Sequence, residues 1–254
     1  EEEKKPEGEL EETTLDVEVQ LSPIIVADDL IRCIDFELYA NCVEDPFVFC
    51  VDMHFGGMWD HVGHFTDTLK IPGAGQWFCI TAGDQLHTLR SVAFLECVDG
   101  VYSAIFKGDP FFGGNWLIGG NLDAWKKENP NASHDVIDIL DFGQFVANYL
   151  ATMDPNTDCE TVYDGGHADI NGDGVVNVLD FAFIQQNFLA VSKDACCPGS
   201  AAGVPTPLLS VSLRDLRSMG LGNLSVADIN GDGVLDQQDM NDFTTGHKPR
   251  KVGH

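Results

Sequence analysis

Positive charge is scarce in this sequence. Only 14 Lys and Arg stand against 41 Asp and Glu among 254 residues, a formal net charge of −27. Such a surface has little with which to displace the counterions of a phosphate backbone, so nucleic acid is not an expected partner. The balance suits a bound cation, a high-salt exterior or simple solubility. Long apolar runs are missing as well. No stretch approaches the roughly 20 residues that a membrane helix needs, so no span is expected. Catalytic signatures are also absent: there is no GxSxG, Walker loop, GxGxxG or HExxH. A glycosidase-like acid pair could be drawn from so many carboxylates, but no spacing singles one out. The expectation is a protein that is not an enzyme.

Cysteine, by contrast, is plentiful. Eight residues (33, 42, 50, 79, 97, 159, 196 and 197) favour an oxidising compartment. Eight cysteines can pair in about 105 ways, so the sequence leaves the connectivity open. The chain begins at Glu1 rather than Met, as a processed secreted protein would. Its opening, "EEEKKPEGELEE", is almost wholly charged and is expected to form a flexible acidic arm over residues 1–13.

From Thr14 the pattern changes. "TTLDVEVQL" sets Leu15, Val17, Val19 and Leu21 on one face, the period of a half-buried strand. "CIDFELYA", "PFVFCVDMHF", "GQWFCIT", "LHTLRSVAFLECV" and "VYSAIFKG" continue in the same manner between Gly, Pro, Asp and Asn. Short strands at this spacing predict an antiparallel β-sandwich over residues 14–118. Beyond Gly119 and Gly120 the period lengthens. Phe142, Phe145, Val146, Tyr149 and Leu150 recur at helical spacing, as do Phe181, Ile184, Phe188 and Leu189. Residues 119–246 therefore read as short helices joined by acidic loops, with a basic tail over 247–254. The whole is an α+β chain whose helices are too short to hold alone and must pack on one another.

Two of the loops carry the chemistry. A hard cation such as Ca2+ takes six to eight oxygens. A twelve-residue loop supplies them from positions 1, 3, 5, 7, 9 and 12, with a glycine at 6 for the sharp turn. Asp169, Asn171, Asp173, Gly174, Val175, Asn177 and Asp180 fill these slots, position 7 through its backbone carbonyl. Asp228, Asn230, Asp232, Gly233, Val234, Asp236 and Asp239 fill them again 59 residues later. A damaged third copy lies upstream, where "DVIDILDF" at 135–142 matches "GVVNVLDF" at 174–181 and places Asp138 and Asp141 at positions 9 and 12. Straight counting puts Pro130, Ala132 and His134 at 1, 3 and 5, which would bind nothing. An insertion of nine residues would instead bring Asn121 and Asp123 to positions 1 and 3.

Both intact loops end on Asp where the usual EF-hand has Glu, and neither has a convincing helix directly ahead of it. That loop-then-helix form resembles the dockerin type I repeat, with a further helix expected near Leu213 to Met219. More widely, "RCIDFELY", "CITAGDQLHTLRS", "GGNWLIGGN", "VIDILDFGQFV" and "HADINGDGVVNVLDFAFIQQNFL" resemble secreted bacterial proteins, best known from planctomycetes. Those proteins join a β-sandwich to dockerin-like repeats, most of them without an assigned activity. The resemblance implies a dockerin-like module of two to three calcium repeats and a secreted or cell-surface location. Its implied role is a non-catalytic structural protein, an assembling or fibre subunit. The alternative is a module that docks to a cohesin-like partner or to polysaccharide.

Other residue groups are weaker signals. "DMHFGGMWDHVGHF" gathers Asp52, His54, Asp60, His61 and His64, whose spacing fits no metal signature, so water-facing loop histidines are expected. His87 reads as a strand residue with a hydrogen-bond partner. Trp59, Trp77, Trp116 and Trp125 could stack on sugar, although strand aromatics more commonly pack a core. The acidic arm and the basic tail, with Lys248, Arg250 and Lys251, could attract one another between subunits, and "TTLDVEVQL" could add to a neighbour's sheet edge.

Overall fold

Our computed structural model describes residues 12–22, 29–56, 62–70, 76–84, 86–109, 113–122, 136–161, 166–192, 196–197 and 206–249. The strands of the first half are β1 (Glu12–Ser22), β2 (Asp29–Tyr39), β3 (Phe47–Gly56), β4 (Val62–Lys70), β5 (Cys79–Asp84), β6 (Ser91–Phe94), β7 (Glu96–Val98) and β8 (Val101–Phe106). The two-residue strands β9 (Gly108–Asp109), β10 (Gly113–Gly114) and β11 (Leu117–Ile118) follow. One sheet places β1 between β4 on one side and β8 with β11 on the other, and β7 borders β8. The second sheet runs β3-β2-β5-β6. Leu15, Val17 and Val19 of β1 meet Ile34, Phe36 and Leu38 of β2 in one apolar core, so the alternation read from the sequence does define the inner faces.

Two details differ from the expected antiparallel sandwich. β1 runs parallel to β8 and to β11, because these partners meet through long connections that leave strand direction unconstrained, unlike hairpin neighbours. β4 is a strand that the periodicity did not announce. It puts His64 opposite Glu18 of β1 rather than in a turn. Asp60 and His61 of the same histidine-rich stretch, Trp59 and Trp125, the arm up to residue 11 and the tail from Arg250 lie outside the described residues.

The second half holds α1 (Ile139–Ala147), α2 (Val178–Asn187), β12 (Ser210–Ser212), α3 (Leu213–Ser218), a 3-10 turn (Gly222–Ala227), β13 (Val234–Asp236) and α4 (Gln237–Thr244). Phe142 and Phe145 of α1, Phe181 of α2 and Phe243 of α4 form an aromatic knot, with ring centroids 5.1–6.1 Å apart. The first two repeats are related by a local two-fold symmetry. The chain leaving α1 pairs with loop 169–180, Leu150 N–H to Val176 O at 2.9 Å and Val176 N–H to Ala151 O at 3.0 Å. The chain leaving α2 pairs reciprocally with the other loop, Leu189 N–H to Ile137 O at 2.7 Å and Ile137 N–H to Ala190 O at 2.9 Å. Leu150 and Leu189 both take φ 68, the same left-handed kink at the same place in each repeat.

The halves are joined firmly. All three disulfides cross between them: Cys33–Cys159, Cys42–Cys197 and Cys79–Cys196, with sequence separations of 126, 155 and 117. Cys50 and Cys97 are thiols at the surface, and the Cys50 sulfur lies within 4.8 Å of both sulfurs of the Cys33–Cys159 bridge. Gly119 lets α2 approach the end of β11, since a Cβ there would sit 2.7 Å from Phe183 Cδ1. Loops longer than 100 residues give each bridge about 4–5 kcal/mol in the chain-entropy model. The double variant Cys33→Ser/Cys159→Ser should therefore lose about 3–5 kcal/mol in denaturant unfolding. With the bridges intact, calorimetry in calcium should show one endotherm; two separated transitions would mean that the halves unfold independently.

Candidate metal centre

Each intact loop is wound around its own carboxylates. In loop 169–180, Asp169 Oδ1 accepts from the N–H groups of Gly172 and Asp173, both at 3.1 Å, and its Oδ2 accepts from Gly174 at 2.8 Å. From the far end Asp180 Oδ1 accepts from Ile170 at 2.7 Å and Asn171 at 3.0 Å, while its Oδ2 accepts from Asn177 at 2.8 Å. Loop 228–239 repeats the pattern. Asp228 takes Gly231, Asp232 and Gly233, and Asp239 takes Ile229, Asn230 and Asp236. The glycines at position 6, Gly174 and Gly233, have φ +85 and +92, a conformation that a side chain would strain.

The loop end is also the helix start. Asn177 caps α2 and Asp236 caps α4. Asp180 and Asp239 at the third helical position return the bond to the cap N–H, completing a capping box. One carboxylate thus closes the loop and sets the helix axis.

The upstream copy has the same skeleton in an expanded register. Asp138 caps α1, and Asp141 Oδ2 accepts from the Asp138 N–H at 2.7 Å. Asp141 Oδ1 accepts from Leu122 N–H at 2.6 Å, the bond that Ile170 and Ile229 make in the other loops. Leu122 therefore stands at position 2, and Asn121 at position 1. Asp123 lies outside the described residues. Asp138 differs from its counterparts in that its second oxygen is engaged by Leu208 N–H at 2.9 Å.

The donor set of the intact loops fits a hard divalent cation. It is all oxygen: three carboxylates, two amide oxygens and the Val175 carbonyl in the first, with Asp236 replacing an amide in the second. The side chains at positions 3, 5 and 9 converge, since Asp173 Oδ2 is reached by both Asn171 Nδ2 and Asn177 Nδ2 at 3.1 Å. Turning either amide about its last bond presents its oxygen instead. Burial of the closing carboxylates is visible in the acidities. Burial, with Asp169 adding to it, raises Asp180 to about 6 against the backbone bonds that lower it. Asp239 is raised likewise by burial, with Asp228 adding to it.

The sandwich supplies a polar cluster that the sequence did not reveal. Arg32 of β2, fully buried, donates from Nη2 to Asp169 O at 3.1 Å and to Ile170 O at 3.5 Å. Its Nη1 lies 2.8 and 3.0 Å from the two ring nitrogens of His87, and its Nε lies 4.0 Å from Asp84 Oδ2. His87 Nδ1 donates to Asp84 Oδ2 at 2.8 Å, and its Nε2 lies 2.9 Å from His167 Nδ1. His167 Nε2 donates to Asp154 O at 2.7 Å. His87 is not a strand residue as expected. It sits in the turn after β5, which Asp84 shapes by accepting from Leu86 N–H at 2.9 Å. Burial and the Arg32 charge push His87 down to about 3; Asp84, despite its burial, is held down at about 2 by His87 and Arg32.

The remaining candidates fall elsewhere. Asp52 and His54 share the outer face of β3, where Asp52 Oδ1 accepts from Cys159 N–H at 2.8 Å. Trp77 packs on the sandwich core, and the Trp116 ring lies against Gly108.

The fold and the loops together define a β-sandwich joined to paired calcium-type loop–helix repeats. Residues 133–189 match the dockerin type I domain, a span that takes in α1, loop 169–180 and α2 and stops before loop 228–239. Dockerin type I domains typically bind calcium and are non-catalytic. Among curated proteins none matches the chain. Two solved structures are similar at 12% identity, covering 72% of this chain and 99% of theirs. They are a C-terminal and an N-terminal interface mutant of a type II cohesin–X–dockerin complex from Acetivibrio cellulolyticus, with TM-scores of 0.43 and 0.41.

Two outcomes follow for the loops. Millimolar calcium should raise Tm relative to EGTA; an unchanged Tm would show that the ion is not structural. In EGTA the raised Asp180 pKa means that the folded state binds this proton more tightly than the unfolded chain. Its contribution is fully present below pH 4 and is lost as pH climbs to about 6. Asp180→Asn should therefore gain on the wild type by about 2 kcal/mol between pH 4 and 7, after discounting for solvent screening. A pH-independent difference would refute this.

Proposed function

We propose that the protein is a calcium-stabilised, non-catalytic docking protein of the cell exterior. On this reading α2 carries the surface that receives a cohesin-like partner. One observation carries it. On repeat two, Val175, Val178 and Leu179 are 39%, 57% and 52% exposed, with Leu150 beside them at 69%. At the matching places on repeat one, Val136, Ile139 and Leu140 are 0–2% exposed. The chain covers that copy itself: Ile139 N–H donates to Leu208 O at 3.2 Å, and Leu224 and Leu235 pack against Gly143 of α1. The third repeat thus occupies one face of the symmetric pair and leaves the other open to a partner.

Calcium is the ion that the donor sets of loops 169–180 and 228–239 suit, held by Asp169, Asn171, Asp173, Val175, Asn177 and Asp180 and by Asp228, Asn230, Asp232, Val234, Asp236 and Asp239. Asn121, Asp138 and Asp141, with Asp123, would form a weaker first site, because Leu208 competes for Asp138. The ion would neutralise the clustered carboxylates and hold the helix N-termini at a fixed angle. Among the described residues, no helix is long and apolar enough to cross a membrane.

The test is calorimetric titration of the whole chain against a panel of purified cohesins, in calcium and in EGTA. Val178→Asp and Leu179→Asp should each weaken calcium-dependent binding about 30-fold or more while leaving Tm unchanged, as interface anchors do. Leu140→Asp, at the buried counterpart, should instead destabilise the fold by more than about 3 kcal/mol. Unaltered affinity in both α2 variants would overturn the reading. If the partner is a second copy, as an assembling subunit requires, light scattering will show a concentration-dependent mass that Leu179→Asp abolishes.

A further inference from the structure

We infer that Arg32, a side chain of the sandwich, sets the calcium affinity of loop 169–180 by fixing the backbone of its first two residues. The inference rests on the calcium reading of that loop. Asp169 stands at position 1, so the path of its main chain decides where its carboxylate points. Both carbonyls at this entry, Asp169 O and Ile170 O, are taken by Arg32 Nη2, and no solvent reaches the guanidinium. In an isolated repeat these carbonyls would be hydrated and free to rotate, and the ion would have to order them on binding. Here that ordering cost is already met by the sandwich.

A cation so near a metal loop would ordinarily oppose calcium. Asp84 prevents this. Its carboxylate lies 4.0 Å from Arg32 Nε and is hydrogen-bonded to the same His87 that Arg32 touches, so the cluster presents a balanced pair to the loop. What remains is geometry. His87 extends the grip to the partner repeat, since its carbonyl accepts from Gly120 N–H at 2.7 Å and Asn121 N–H at 3.2 Å. Arg32 and the His87 that it touches therefore meet the entry residues of both members of the symmetric pair. Loop 228–239 is held differently, by its own residues, by Ser225 and by the β12–β13 ladder, and it serves as an internal reference.

Coupling of this kind is reciprocal: if the sandwich tightens the loop, calcium in the loop must tighten the sandwich. Calcium titration of the 15N-labelled full-length protein reads each loop separately. The reporters are the position-6 amides, Gly174 N–H and Gly233 N–H, which bond Asp169 Oδ2 and Asp228 Oδ2. Arg32→Met should raise the calcium midpoint at Gly174 about tenfold or more and leave that at Gly233 unchanged. Because this variant strands Asp84 in the interior, Arg32→Met/Asp84→Asn removes both charges together and should show the same selective shift. Arg32→Lys, which keeps the charge and one donor, should recover part of it. Hydrogen exchange at the Asp84 and Leu86 amides should slow with calcium in the wild type and not in Arg32→Met/Asp84→Asn.

Equal midpoints in wild type and double variant, equal shifts at both glycines, or tighter binding at Gly174 after removal of Arg32 would each overturn the inference. A wild type in which neither glycine responds to calcium would instead remove the calcium reading itself.

Discussion

The closing aspartate of each repeat is the constraint on which the second half is built. Asp180 and Asp239 each hold three backbone N–H groups drawn from both ends of a loop, and each supplies the reciprocal bond of a helix cap. Loop closure and helix direction therefore share one side chain. Asp141 keeps the same job upstream, although the loop it closes has grown by nine residues. The skeleton survives the insertion because it depends on bonds at the two ends of the loop, not on what lies between.

This explains why so much of the repeat module could be read from sequence. The loop carboxylates, the position-6 glycine and the helix cap are all local, separated by fixed small offsets, and they recur. The same locality let a gapped comparison nominate Asn121 for the first position, next to Leu122, whose N–H bonds Asp141. The inner faces of the sandwich were legible for a similar reason, since alternation in β1 and β2 needs only neighbours. What the sequence hid was global. β4 has few large apolar residues and no alternation. The parallel run of β1 beside β8 depends on residues 87 positions apart, as in Thr14 and Val101. His87 looked like a strand residue because nothing in "LHTLRS" shows that Asp84 turns the chain beneath it.

The least legible element joins the two halves. Arg32 and Asp84 are ordinary charged residues in strands whose neighbours alternate, and sequence reasoning places such residues on the outside. They are buried because the second half covers them, with His167, Asp169 and Ile170 completing their shell. The halves keep separate apolar clusters, yet contacts run across residue 118: Leu89 of the first half belongs to the helical core. Helix α2 rests on a body that is continuous with the sandwich, so force or orientation at α2 passes directly to it.

The pairing of the cysteines has a consequence for biosynthesis. Cys33, Cys42 and Cys79 all precede the first of their partners, Cys159, by at least 80 residues, and two of them wait for the adjacent Cys196 and Cys197. No native bridge can close while only the sandwich has emerged from the ribosome. Any bridge formed early among Cys33, Cys42, Cys50, Cys79 and Cys97 is a wrong one that must be undone. Cys33–Cys159 is the first native bridge that can close, the other two must wait for Cys196 and Cys197, and a chain that stalls before residue 197 is left with thiols for quality control to find.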